Sequence, residues 1–177
     1  MEMKSISRFM KACMMVLSLF LPALCQASDG EPLEKTVMLL KSYDVSFKDS
    51  RGNVISLSQL RGKVVLINLW ATWCPPCLAE MPSLDKLYKD FQGNSGIIFL
   101  SVDIDGRTQA AEKFLKKRKY SLPVYQLHSG LPRELSTQSI PTTIILDKAG
   151  KLVNKHVGGM NFGSPKFRKA LQQLSDE

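Results

Sequence analysis

Cys74 and Cys77 stand three positions apart in INLWATWCPPCLAEMP (67–82), with Pro75 and Pro76 between them and Trp70 and Trp73 just ahead. Two thiols at this spacing can form a structural cross-link, supply half of a metal site, or be oxidised and reduced in turn. A cross-link here closes a very short loop, for which the chain-entropy account gives only about 2 kcal/mol, against about 4.7 for a long loop. A structural zinc site takes about four ligands. His128 and His156 fall on separate expected strands without paired spacing, so neither completes such a set. Copper(I) on two thiolates stays open as a chemical possibility. The redox use draws on position. The nearly unbroken β-branched run KVVLINLW (63–70) reads as a buried strand, and a helix starts directly after it. Cys74 then sits at an exposed helix start, where backbone N–H groups and the helix dipole favour a thiolate. Residues i and i+3 of a helical turn lie about 5–6 Å apart, within the reach of a disulfide.

The elements that must hold this pair are legible as periodicity. DVSFKDSRGNVISL (44–57) alternates apolar and polar residues about a Gly-Asn turn and reads as a hairpin. Residues 75–91 place Leu78, Met81, Leu84, Leu87, Tyr88 and Phe91 at helical spacing, with Pro82 expected to kink the helix. A second buried strand (96–104), a second helix (108–119) and a shorter strand (122–128) follow. A hairpin (141–147 and 151–157) and a last helix (164–174), with Ser164 as N-cap and Pro165 at its first position, close the chain. This order gives an α/β sandwich with a mixed central sheet flanked by helices.

Residues 1–11 carry Lys4, Arg8 and Lys11 against Glu2, ACMMVLSLFLPAL (12–24) is uncharged, and CQAS follows. That is the pattern of a secretory signal peptide, 1–27, cut after Ala27. Its apolar core would rise only about 20 Å as a helix, short of a hydrocarbon layer of about 30 Å. Lipid attachment at Cys25, or an uncleaved anchor, is the lesser alternative. The mature domain, 28–177, keeps Cys74 and Cys77 as its only cysteines, in a compartment where disulfides persist. The net charge of +8 becomes +6 once the three cations and one acid of residues 1–27 are removed. Much of it lies in KKRK (116–119), read as a solvated helix end although an acidic partner or a membrane surface is compatible with it. Export argues against nucleic acid as a partner.

VVLINLWATWCPPCLAEMPSL followed by IPTTIILDKAGKL resembles the thioredoxin superfamily, specifically its exported TlpA/ResA-like thiol–disulfide oxidoreductases, over roughly residues 40–170. The 64 residues from Cys77 to Pro141 leave room for the central β-α insertion of that branch, and the 44–57 hairpin resembles its N-terminal addition. The resemblance implies a thioredoxin fold and a monomer without a bound cofactor or metal. The implied role is reduction of disulfides in other exported proteins in the bacterial periplasm, apocytochrome c among them, with electrons from a membrane thiol-transfer protein. A general disulfide oxidant or isomerase, or a thiol-based copper- or haem-handling module, is the alternative. No PxxxTxxC arrangement supports a peroxidase.

Within that resemblance Cys74 is the attacking thiolate and Cys77 the deeper thiol that closes the ring. The archetypal thioredoxin carries an aspartate base on the preceding strand; here Asn68 takes that position. TlpA-like proteins carry a glutamate where Glu80 stands, one turn beyond Cys77, which makes Glu80 the expected proton acceptor. Trp73, Pro75, Pro76, Ile140 and Pro141 are assigned to the surface that receives the partner, with the Ile140–Pro141 bond cis, while Trp70 belongs to the core. Pro75 and Pro76 lack N–H groups that could stabilise the Cys74 thiolate, so the pair is expected to lean towards giving electrons.

Overall fold

Strand β3 (Val64–Trp70) is buried along its whole length and organises what surrounds it. The structure, a computed structural model, describes residues 43–177; the expected signal segment and the cut after Ala27 lie outside the described residues. Before β3 come β1 (Ser46–Asp49), β2 (Val54–Ser56) and a 3-10 turn (Leu57–Leu60). After it come α1 (Pro75–Phe91), β4 (Ile97–Asp103), α2 (Thr108–Lys117), β5 (Val124–Leu127), β6 (Thr142–Leu146), β7 (Leu152–Val157) and α3 (Pro165–Asp176). The seven strands form one mixed sheet in the order β2-β1-β5-β4-β3-β6-β7. β3 runs parallel to β4 and β4 to β5, whereas β1, β6 and β7 pair antiparallel with their neighbours.

Side-chain alternation along β3 splits the core in two. Val64, Leu66 and Trp70 join residues of all three helices, including Met81, Leu84 and Leu87 of α1, Leu115 of α2 and Leu171 of α3. Val65, Ile67 and Leu69 face the other way, onto Leu57 and Leu60 of the 3-10 turn and onto Leu131 and Leu135. Among the described residues no helix contributes to this second cluster; the irregular stretch 128–140 closes that face instead. The expected mixed central sheet with flanking helices is present, and among residues 43–177 the three helices share one face of it. By the same alternation Asn68 lies on the helix side of β3.

Some boundaries differ from the sequence reading. α2 stops at Lys117, not 119: Lys119 adopts a left-handed conformation (φ 62°) and Tyr120 N–H bonds back to the Leu115 carbonyl, a helix-ending arrangement. Arg118 then folds over the Phe114 ring, 3.7 Å from its centre. β5 begins at Val124 because Pro123 has no N–H to give to the ladder. α1 continues from Pro75 to Phe91 with Pro82 inside it.

Candidate active site

The β3-to-α1 corner places Cys74 at the N-cap of α1 in extended conformation (φ −92°, ψ 104°). The first two helical positions are Pro75 and Pro76, so the first N–H that can reach the cap belongs to Cys77. It donates to Cys74 Sγ at 3.3 Å. Cys74 and Cys77 are joined in a disulfide, with their Cα atoms 5.3 Å apart. Cys77 is fully buried. Cys74 is only 3% exposed, which corrects the expectation of an exposed sulfur. Its sulfur is bonded to that of Cys77, and the residue belongs to the cluster that holds Trp70 and Ala71. The open face beside it belongs to Trp73, 59% exposed, whose indole N–H donates to Asp105 Oδ2 at 2.8 Å. Arg107 pairs with the same carboxylate. Trp70 is wholly buried, near Phe114.

Glu80 is not a surface residue: it is 4% exposed, on the inner side of α1. Asn68 Nδ2 donates to its Oε1 at 2.8 Å, and Met160 N–H donates to its Oε2 at 3.0 Å. Burial pushes its carboxyl above the usual carboxylate range; the two hydrogen bonds and the charge of His156 oppose this without cancelling it. Asn68 Nδ2 also donates to Thr143 Oγ1 at 3.2 Å, in line with the register that sets Asn68 beside Thr143 and Thr143 beside His156. A carboxylate held this way can take a proton from a neighbouring thiol.

The Ile140–Pro141 peptide bond is cis, and Ile140 packs against the cluster that contains both cysteines. Gly158 N–H donates to the Pro141 carbonyl, and the side chains of Thr137 and Thr142 fasten the turn to the Ser139 carbonyl. Sequence reasoning treated Asn68 only as a missing base. The strand alternation that puts it on the helix side was the signal of its partnership with Glu80. Met160, Gly159 and Asp105 carried no local signal. They reach the site through loops after β7 and β4.

Residues 39–174 match the family profile described as Redoxin. The chain belongs to the redoxin family. This redoxin is 33% identical over 134 residues to the thioredoxin-like protein YneN of Bacillus subtilis, covering 75% of each chain. It is 33% identical over 115 residues to the thiol–disulfide oxidoreductase ResA of Halalkalibacterium halodurans, a match that spans 64% of each chain and so less than two thirds of ResA's length. The crystal structure of the exposed lipoprotein thioredoxin Etrx1 of Streptococcus pneumoniae superposes with a TM-score of 0.58 at 30% identity, over 75% of this chain and 98% of that one. The redoxin has the thioredoxin fold of the TlpA/ResA-like branch, and it is a thiol–disulfide oxidoreductase.

Proposed function

We propose that this redoxin works outside the cytoplasm, in a periplasm, and reduces disulfides in other exported proteins through the Cys74/Cys77 dithiol. Residues 1–27 would direct its export and 28–177 form the working domain. The likeness to Etrx1, itself an exposed lipoprotein, supports the location. Apocytochrome c is the client that the ResA-like resemblance suggests, with a membrane thiol-transfer protein as electron donor.

In the reduced protein the Cys74 thiolate attacks a partner disulfide, forming a mixed disulfide and releasing one partner thiolate. Glu80 accepts the Cys77 proton. The Cys77 thiolate attacks Cys74 Sγ, the bond from Cys74 to the partner breaks, and the electron pair leaves on the partner's second sulfur. The partner gains two electrons and the pair closes to the disulfide. Trp73, Pro75, Pro76, Ile140 and Pro141 form the contact surface for the partner's chain, docked as an added extended segment. The observation that carries this reading is a cap-position sulfur bonded to a wholly buried one, with a buried carboxyl one turn further along the same helix.

Trapping tests it. A Cys77→Ser variant, incubated with an extract of exported proteins, should hold clients as mixed disulfides through Cys74, and mass spectrometry identifies them. Insulin reduction set beside oxidation of a reduced substrate fixes the direction. Faster oxidation than reduction would reverse the proposal, and tight Cu(I) binding that alkylation abolishes would point to a metal carrier.

A further inference from the structure

The two oxygens of Glu80 look onto different surroundings. Oε1 faces the core, where Asn68 on β3 holds it. Oε2 faces the loop after β7, where Met160 N–H meets it. On that side a surface crevice of about 400 Å³ runs between α1 and the loop, lined by Pro76, Ala79, Glu80, Gly159, Met160 and Asn161. Gly159, itself exposed, lines the crevice beside the carboxyl. A Cβ at this position would lie 3.9 Å from Glu80 Oε2 and 3.6 Å from the Pro76 carbonyl oxygen, in ordinary contact with both and in collision with neither. Its neighbour Gly158 has φ +103°, which explains a glycine there; Gly159 is outside that region. Neither backbone conformation nor crowding accounts for Gly159. What its missing side chain leaves is an opening over one carboxyl oxygen.

We infer that the crevice at Gly159 is the route by which Glu80 exchanges its proton with water, and that Gly159 keeps it open. This rests on the reading of Glu80 as acceptor of the Cys77 proton. Once Cys77 has given up its proton and closed the disulfide, Glu80 holds that proton in a site shut on the β3 side by Asn68. The next reductive cycle needs the carboxylate again. The proton leaves from Oε2 to a water in the crevice, and no other bond is made or broken. Among the described residues, the groups acting on the carboxyl are the Asn68 amide on β3, Met160 N–H in the loop and the His156 charge on β7.

The test follows the resolving step: the rate at which a fluorescent peptide leaves its mixed disulfide with Cys74, measured across pH. In Gly159→Ala the added methyl covers Oε2, and the pH–rate profile should move up by about one pH unit, because further desolvation disfavours the charged carboxyl. Ala79→Leu, an exposed helix-compatible change on the opposite wall, should move it the same way and serves if the first variant does not fold. In a Glu80→Gln background both shifts should vanish. A profile that Gly159→Ala and Ala79→Leu leave in place, while Glu80→Gln alters it, overturns the exit route alone. A profile indifferent to Glu80→Gln overturns the reading of Glu80 as base. A rise in KM for the peptide with an unmoved profile assigns the crevice to peptide contact and likewise overturns the inference.

Discussion

The Asn68 side-chain amide reaches from the central strand to the active-site helix and donates to Glu80 Oε1 at 2.8 Å, joining two wholly or nearly buried side chains. The amide's own oxygen has no hydrogen-bond partner. Turned over, the amide could accept from a protonated carboxyl as readily as it now donates to a charged one, so one residue suits both states of its neighbour. Asn68→Leu keeps the volume and removes the donor. It should lower stability at neutral pH by about 1.5–3 kcal/mol, the usual worth of a hydrogen bond to a charged group, and raise the Glu80 carboxyl further. Urea denaturation and the pH dependence of thiol exchange read the two effects. No change in either would mean that Asn68 does not stabilise the charged form.

Burial raises the Glu80 carboxyl, so the folded chain binds this proton more tightly than the unfolded chain. Between the ordinary glutamate range and the raised value, unfolding releases a proton. Stability therefore falls as pH rises through that window and stays low above it. Glu80→Gln removes this penalty: the variant should be the more stable protein at neutral pH, with the difference closing under acid. Each pH unit of elevation is worth about 1.4 kcal/mol. Thermal unfolding from acid to neutral pH checks the sign, and a wild type that gains on the variant as pH rises contradicts it.

Pro76 occupies the second helical position, from which a backbone N–H can ordinarily reach the cap side chain. Pro76→Ala supplies that N–H to the Cys74 thiolate and stabilises the reduced form. The reduction potential should become less negative by about 30 mV, equivalent to one charge-assisted hydrogen bond in a two-electron couple. Equilibration with a thiol redox buffer measures it. An unchanged potential would show that the prolines do not set the pair's preference through their missing donors.

Asp85, on the buried side of α1, accepts the backbone N–H of Ser121 and pairs with Lys89 one turn on. It fastens the active-site helix to the segment leading into β5. Asp85→Ala strands a backbone donor and should lower stability by about 1–3 kcal/mol, seen in chemical denaturation. A loss within a few tenths would mean that water takes over the Ser121 contact.

Local patterns carried most of the framework. The β-branched run of β3 and the spacing of Met81, Leu84 and Leu87 are properties of adjacent residues, and they located the corner where Cys74 stands. Helix ends were harder to read, because the left-handed Lys119 that stops α2 looks like any other cation in KKRK. The burial of Cys74 came from residues distant in the chain that pack around it, and that of Leu135 from a face of the sheet left to an irregular stretch. The resemblance singled out Glu80, but its burial was not legible, because the contact most telling about it, Met160 N–H, comes from 80 positions away.

The sheet order has a consequence for how the chain comes together. β1 lies between β2 and β5, with Phe47 opposite Leu127, so the first hairpin joins the rest of the sheet only through a strand made much later. A nascent chain thus carries that ribbon with the β1 margin bare until Leu127 has emerged, and pairing so distant is slow to close. Over that interval the unpaired β1 margin is open to straying onto a neighbouring chain.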